Sequence, residues 1–145
     1  MSRVRFAWRG DAIDAELGAL TESSGGTPEA GWWDRIRPHS LGWVVARDGD
    51  SAMIGFVNVA WDGGDHAFLL DTMVRPDHRR RGIGTELVRI AARHAADAGC
   101  EWLHVDFEEH LTAFHVGACG FRPTRAGLIH LPDLGRSGTD PERYA

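Results

Sequence analysis

The sequence contains no lysine; its sixteen basic residues are all arginine. A Walker-type phosphate loop and a pyridoxal Schiff base both depend on a lysine amine, so both chemistries are excluded. Tyrosine is nearly missing too, with Tyr144 the single example, one residue from the end. The two cysteines, Cys100 and Cys119, are too few for a disulfide framework. No apolar run approaches the ~20 residues that a membrane helix needs. The first residues, "MSRVRFAWRGDAIDAEL", lack the apolar centre of a secretory signal. A formal net charge of -5 gives no general reason to bind nucleic acid or an anionic membrane. The expectation is a cytoplasmic protein with neither of those partners.

What is present is a chain of 145 residues, 43% hydrophobic and 26% charged, which is enough for one globular domain with a proper core. That domain is expected over residues 1–131, with a polar tail over 132–145. The apolar spacing predicts a strand over Val4 to Trp8 and a helix from Asp11 to about Glu22, with Ile13, Leu17 and Leu20 at helical spacing. A short second helix in "EAGWWDRIRPH" is stopped by Pro38. The β-rich runs "LGWVVARD" and "AMIGFVNVAWD" read as a hairpin turning through Gly49 and Asp50, and "AFLLDTMV" as a central fourth strand. A helix then runs from about Gly84 to Ala98, with Ile83, Leu87, Ala91, Ala95 and Ala98 as its buried stripe. "EWLHVDF" reads as a fifth strand, Leu111 to Cys119 as a short helix and "GLIHL" as a last strand. The order mixes α and β around a strand–loop–helix–strand unit.

The chemistry concentrates in "RPDHRRRGIGTELV", residues 75–88. Three adjacent arginines precede the start of a helix, where unpaired N–H groups and the helix dipole already present positive charge. Crowding of like charge becomes favourable if a multiply charged anion binds there. Gly82 and Gly84 would let that anion approach the backbone, and guanidinium suits phosphate oxygens. The alternatives are, first, a solvated arginine turn or a weak nucleic-acid patch and, second, a dinucleotide fold. The second is weakened because Leu87 stands where the third glycine of that fingerprint belongs.

These residues resemble the acetyl-coenzyme A signature of the GNAT N-acetyltransferases. An apolar strand ends in V-x-P, R-x-x-G-x-G follows, and a helix comes next, with Arg79, Gly82 and Gly84 at the defining positions. "WLHVDF" and "ACGF" resemble the family's later motif. The resemblance implies an α+β GNAT fold: one mixed, mostly antiparallel sheet of about six or seven strands, splayed between the fourth and fifth, flanked by about four helices. It implies acetyl-CoA as cosubstrate; separately, the irregular spacing of His66, His104, His110 and His115 matches no metal-ligand pattern, so no metal is expected. It implies CoA contacts from Met73 and Val74 on the strand and from Arg79, Arg80, Arg81, Gly82, Ile83, Gly84 and Thr85 at the loop and helix start, with His110 added to that set. The implied reaction is acetyl transfer to a primary amine of a small molecule, or to a peptide N-terminus, by direct attack on the thioester. The competing reading is a non-catalytic acyl-CoA-binding module with a regulatory or assembly role.

Three further sets of candidates follow. Many relatives place a thiolate-protonating tyrosine on the helix before "GF"; here "AFHVGACGF" brings His115 or Val116 to that place, so His115 is either the replacement acid or a surface histidine. His104 resembles the position of a glutamate base in some relatives. Asp71 resembles an acidic position near the substrate amine in polyamine-acetylating relatives, and otherwise is a strand-end hydrogen-bonding residue. The acceptor site of the family is walled by the first helices, which here carry Trp32 and Trp33. Both cannot face the core, so at least one is left for a pocket, a rim contact or a homodimer surface.

Overall fold

A computed structural model of the chain describes residues 3–135. Five strands form one sheet in sequential order: β1 (Arg5–Trp8), β2 (Ser40–Arg47), β3 (Met53–Trp61), β4 (His66–Val74) and β5 (Trp102–His104). The first four pair antiparallel, and β5 joins β4 in parallel. A parallel neighbour requires a long crossover, and helix α3 (Ile83–Asp97) supplies it. Helices α1 (Asp14–Ser23) and α2 (Trp32–Ile36) lie between β1 and β2 in the chain. A wide-turned π-type helix, Ala113–Ala118, follows β5, and the Cys119 N–H donates to the Phe114 carbonyl five residues back at 2.9 Å. The architecture is α+β, one mixed sheet flanked by these four helices.

Alternation along the strands sends successive side chains to opposite faces, and each face has its own core. Val44, Val57, Val59 and Leu69 meet Ile83, Leu87, Val88, Ala91 and Ala95 of α3. Val45 and Phe56 meet Leu17, Leu20 and Trp33 of α1 and α2. The α3 stripe is the expected one except that Val88 joins it and Ala98, beyond the helix end, is exposed. Gly55 lets α3 settle onto the sheet. A Cβ there would stand 3.1 Å from Leu87 Cδ1, 3.2 Å from Ala46 Cβ and 3.3 Å from Ile83 Cγ2.

Two expectations are corrected. "GLIHL" forms no strand, and Leu128 and Ile129 are 82% and 62% exposed. Such a run becomes a strand only against a receptive edge, and β5 offers merely three paired residues. The sheet therefore has five strands among the described residues rather than six or seven. "EWLHVDF" is likewise paired only over Trp102–His104. Tyr144 and most of the expected polar tail lie outside the described residues.

The splay expected between the fourth and fifth strands is present in the pairing. β5 pairs with β4 only at His66, Ala67 and Phe68, while β4 runs on to Val74. Beyond Phe68 that edge of β4 faces no strand among the described residues. Because α3 rests directly on Gly55, Gly55→Val should destabilise the fold by about 1–3 kcal/mol, the usual penalty of overpacking, measured by urea unfolding.

Candidate active site

The site is assembled around the last residues of β4. Gly55 and Val74 face each other in the ladder, and the Arg75 N–H donates to the Ile54 carbonyl at 2.8 Å. That pattern marks Gly55 and Val74 as a non-hydrogen-bonded pair, so the N–H and C=O of Val74 point away from β3, toward the splay. The Val74 carbonyl accepts from Arg79 Nε at 3.1 Å. Arg79 thereby ties the loop to the strand. Arg80 and Arg81 are exposed and form no ion pair among the described residues. Asp77 does not neutralise them: it pairs with Arg75 at 2.8 Å and His78 at 3.0 Å, and these partners hold its carboxyl far below the usual range.

The two loop glycines have different physical reasons. Gly82 caps α3 with φ 76, a left-handed conformation, and a Cβ there would meet nothing within 4 Å. Gly84 is required by packing, since its Cβ would stand 3.1 Å from the Phe114 ring. No side chain caps α3, and its ladder opens with the Glu86 N–H donating to the Gly82 carbonyl at 3.0 Å. The preceding N–H groups, those of Ile83, Gly84 and Thr85, are left without helical acceptors. Glu86, the acid of the first turn, is held by Arg89 at 2.5 and 2.8 Å. The helix start therefore presents donors and cations on open space, which fits a diphosphate.

On the α1–α2 side of the same strand end lies a pocket of about 270 Å³. Asp71, Met73 and Trp32 line it together with Leu17, Asp14 and Glu29. Asp71 sits in a bulge: Phe56 pairs with Met73 and Asn58 with Leu70, so Val57 faces both Asp71 and Thr72. Its φ of 58 is left-handed, which is unusual for a residue other than glycine. Bulges re-aim side chains beside functional sites. Asp71 makes no hydrogen bond or ion pair among the described residues; solvent still reaches it, and partial desolvation by the pocket walls raises its carboxyl above the ordinary value.

The other candidates disperse. Trp33 is not a pocket wall. It is 1% exposed and packs edge-on against Trp43 and Phe56, so of the two tryptophans only Trp32 lines the pocket. His104 is exposed at the splay end of the β4–β5 ladder, stacked on Phe68 with Nε2 2.7 Å from His66 Nδ1, and it does not line the pocket. His115 is no surface histidine: it is 5% exposed among Phe107, Phe114 and Phe121, with Nδ1 unpartnered, and burial lowers its pKa. His110 is exposed and pairs with Glu108 at 3.4 Å. Sequence reasoning missed Asp14, whose carboxylate accepts from the N–H groups of Gly31 at 2.8 Å and Trp33 at 3.0 Å. In sequence it reads only as an acid in a helix's first turn.

Residues 11–121 match the Acetyltransferase (GNAT) family. The chain belongs to the GNAT acetyltransferase family. Mycothiol acetyltransferases are among its curated relatives. That of Brachybacterium faecium is 41% identical over 83 residues, 57% of this chain and 23% of the relative. That of Cellulomonas flavigena is 29% identical over 106 residues, 73% of this chain and 29% of the relative. The chain thus spans about a quarter of the length of these proteins. A GNAT-family acetyltransferase from Streptococcus pneumoniae superposes with a TM-score of 0.74 at 22% identity, covering 88% of this chain and 96% of that one. An aminoglycoside N-acetyltransferase in complex with CoA gives 0.71 at 20% identity, covering 90% and 95%. These likenesses establish the fold. No helix of this GNAT chain, among the described residues, is long and apolar enough to cross a membrane.

The Asp71 environment yields a stability prediction. A carboxyl whose folded pKa is raised binds its proton more tightly when folded, so its contribution is present below the unfolded value and lost as pH rises through the folded one. Above that window the desolvated charge burdens the fold. Asp71→Asn keeps a side chain that tolerates the left-handed conformation and removes the charge. Because solvent screens this exposed charge, thermal unfolding should show the variant only slightly stabilised at pH 7, with the advantage vanishing as pH falls to about 4, the range of an unfolded aspartate.

Proposed function

We propose that this GNAT domain transfers an acetyl group from acetyl-CoA to a primary amine of a small molecule or a peptide N-terminus. The observation that carries the reading is the separation of two functions on one strand end. Val74 turns its N–H toward the splay, and Asp71, a few residues earlier, turns an unpartnered carboxyl into a pocket on the α1–α2 side.

In this reading the pyrophosphate of CoA rests on the N–H groups of Ile83, Gly84 and Thr85, with Arg80 and Arg81 at its rim. The helix end contributes up to ~1 kcal/mol in exposed settings. The Val74 N–H polarises the thioester carbonyl. The acceptor arrives as an ammonium, and Asp71 takes its proton; a carboxyl raised by desolvation is a better base than an ordinary one. The neutral nitrogen then bonds to the acetyl carbon, the carbon–sulfur bond breaks, the electron pair leaves on sulfur, and the proton still in excess on nitrogen passes through solvent to the thiolate. His115 is assigned no acid role. Its aromatic cage favours the neutral ring, so stabilising the thiolate falls to backbone N–H groups and solvent. The absence of a charged acid there is the one observation that favours the non-catalytic acyl-CoA-binding reading.

A thiol-release assay on a panel of amines and peptide N-termini separates the two: turnover is expected, and tight CoA binding without turnover would support the binding module. Asp71→Asn should slow turnover by ~10²–10⁴-fold, the usual contribution of a positioned base, with CoA affinity unchanged by calorimetry. Gly82→Asp places a like charge on the phosphate site while keeping a residue that accepts positive φ. It should remove CoA binding from a folded protein. His115→Phe should leave turnover far closer to wild type than Asp71→Asn does; a loss of ~10² or more would restore His115 as the acid.

A further inference from the structure

The pocket's lining carries information about charge that goes beyond an amine acceptor as such. Three carboxylates, those of Asp14, Glu29 and Asp71, border it, and no arginine or histidine does. The acids differ in what they are free to do. Both oxygens of Asp14 are committed, one to the N–H of Gly31 at 2.8 Å and the other to that of Trp33 at 3.0 Å. Glu29 pairs with Arg35 at 3.0 Å, and both side chains are more than half exposed. Asp71 alone has no partner. The remaining wall is neutral, and Leu17, Met73 and Trp32 make much of it apolar. Thr21 cannot readily recognise an anion, because its hydroxyl donates to the Leu17 carbonyl at 2.8 Å.

Such a lining selects against negative charge as firmly as it accepts positive charge. An α-amino acid carries its carboxylate on the carbon beside the reacting nitrogen. With the nitrogen at Asp71, that carboxylate would enter a pocket holding three acids and no basic side chain to receive it. Like charges brought together at a recognition site cost several kcal/mol and exclude the wrong partner. An amine on an apolar stem meets no such penalty. Its stem replaces water against Leu17, Met73 and Trp32, which line the same pocket.

We infer that the acceptor of this GNAT domain is a small amine that carries no anionic group, of the alkyl or arylalkyl class, with its nitrogen at Asp71 and its stem among Leu17, Met73 and Trp32. The inference rests on the acyl-transfer reading given above and narrows it. Asp14 takes a positioning part in it: by holding the N–H groups of Gly31 and Trp33, it fixes the start of α2 and hence the place of Trp32.

The test uses pairs of acceptors that differ only by a carboxylate: phenethylamine against phenylalanine, and isoamylamine against leucine, each with acetyl-CoA in the thiol-release assay. In the wild-type protein kcat/KM for the amine should exceed that for the amino acid on the order of 100-fold or more, as expected for like-charge exclusion. Glu29→Lys and, independently, Thr27→Arg each place a cation on the lining, and either should shrink that ratio by ~10-fold. Thermal unfolding confirms that each variant is folded, and a merely structural effect would lower both rates without changing their ratio. A ratio near one or in favour of the amino acids overturns the inference while leaving acyl transfer intact. A ratio unmoved in both folded variants overturns the electrostatic cause. If no amine of any class is acetylated although CoA binds, the acyl-transfer reading fails, and the inference with it.

Discussion

β4 is bonded along most of one edge and along only its first residues on the other. Everything in the candidate site depends on that asymmetry. Backbone donors and acceptors need partners, and the edge of β4 beyond Phe68 has none from β5. Arg79 caps the Val74 carbonyl, and the matching N–H is left to face the splay. Full pairing would have spent these groups on a neighbouring strand. The parallel register of β5, set by the α3 crossover, keeps the two strands together at one end and lets them part at the other.

The bulge at Asp71 acts on the same strand in a different way. The register slip places two residues of β4 opposite Val57 and turns Asp71 toward α1 and α2. One strand end thereby serves two compartments, a phosphate-facing one through its backbone and the α3 start, and a carboxylate-lined one through a side chain. The fold bears a local strain for this, a left-handed aspartate. Residues in sparsely populated conformations persist when the surrounding structure over-determines them. Here Phe56 and Met73, packed in the α1–α2 core, fix the strand on the far side of the bulge.

Much of this was legible in the chain because it is local. The arginine-glycine loop, the amphipathic α3, the hairpin strands and Asp71 at the end of β4 all follow from spacing and residue type, and the family follows from the loop. What escaped is long-range. The exposed Leu128–Ile129 run has a strand's composition, yet no edge receives it. Gly84 reads locally as clearance for an anion, whereas Phe114, thirty residues on, packs against it. Two tryptophans in a row declare that one must leave the core; only the packing of Trp33 on Trp43 and Phe56 says which. His115 carries no local mark of burial, because the rings around it come from three separate segments.

The cations at the start of α3 are guanidinium groups alone. A guanidinium stays protonated across the physiological range and offers no free electron pair, whereas a lysine amine readily becomes a nucleophile when its surroundings lower its pKa. An amine at Arg80 or Arg81 would be tethered within reach of whatever activated acyl group the domain holds, at an effective concentration no free acceptor could match. With no lysine among its 145 residues, this chain presents no side-chain amine that could be acylated in the acceptor's stead. The charge that would gather an acyl donor is supplied by groups that are inert to acylation.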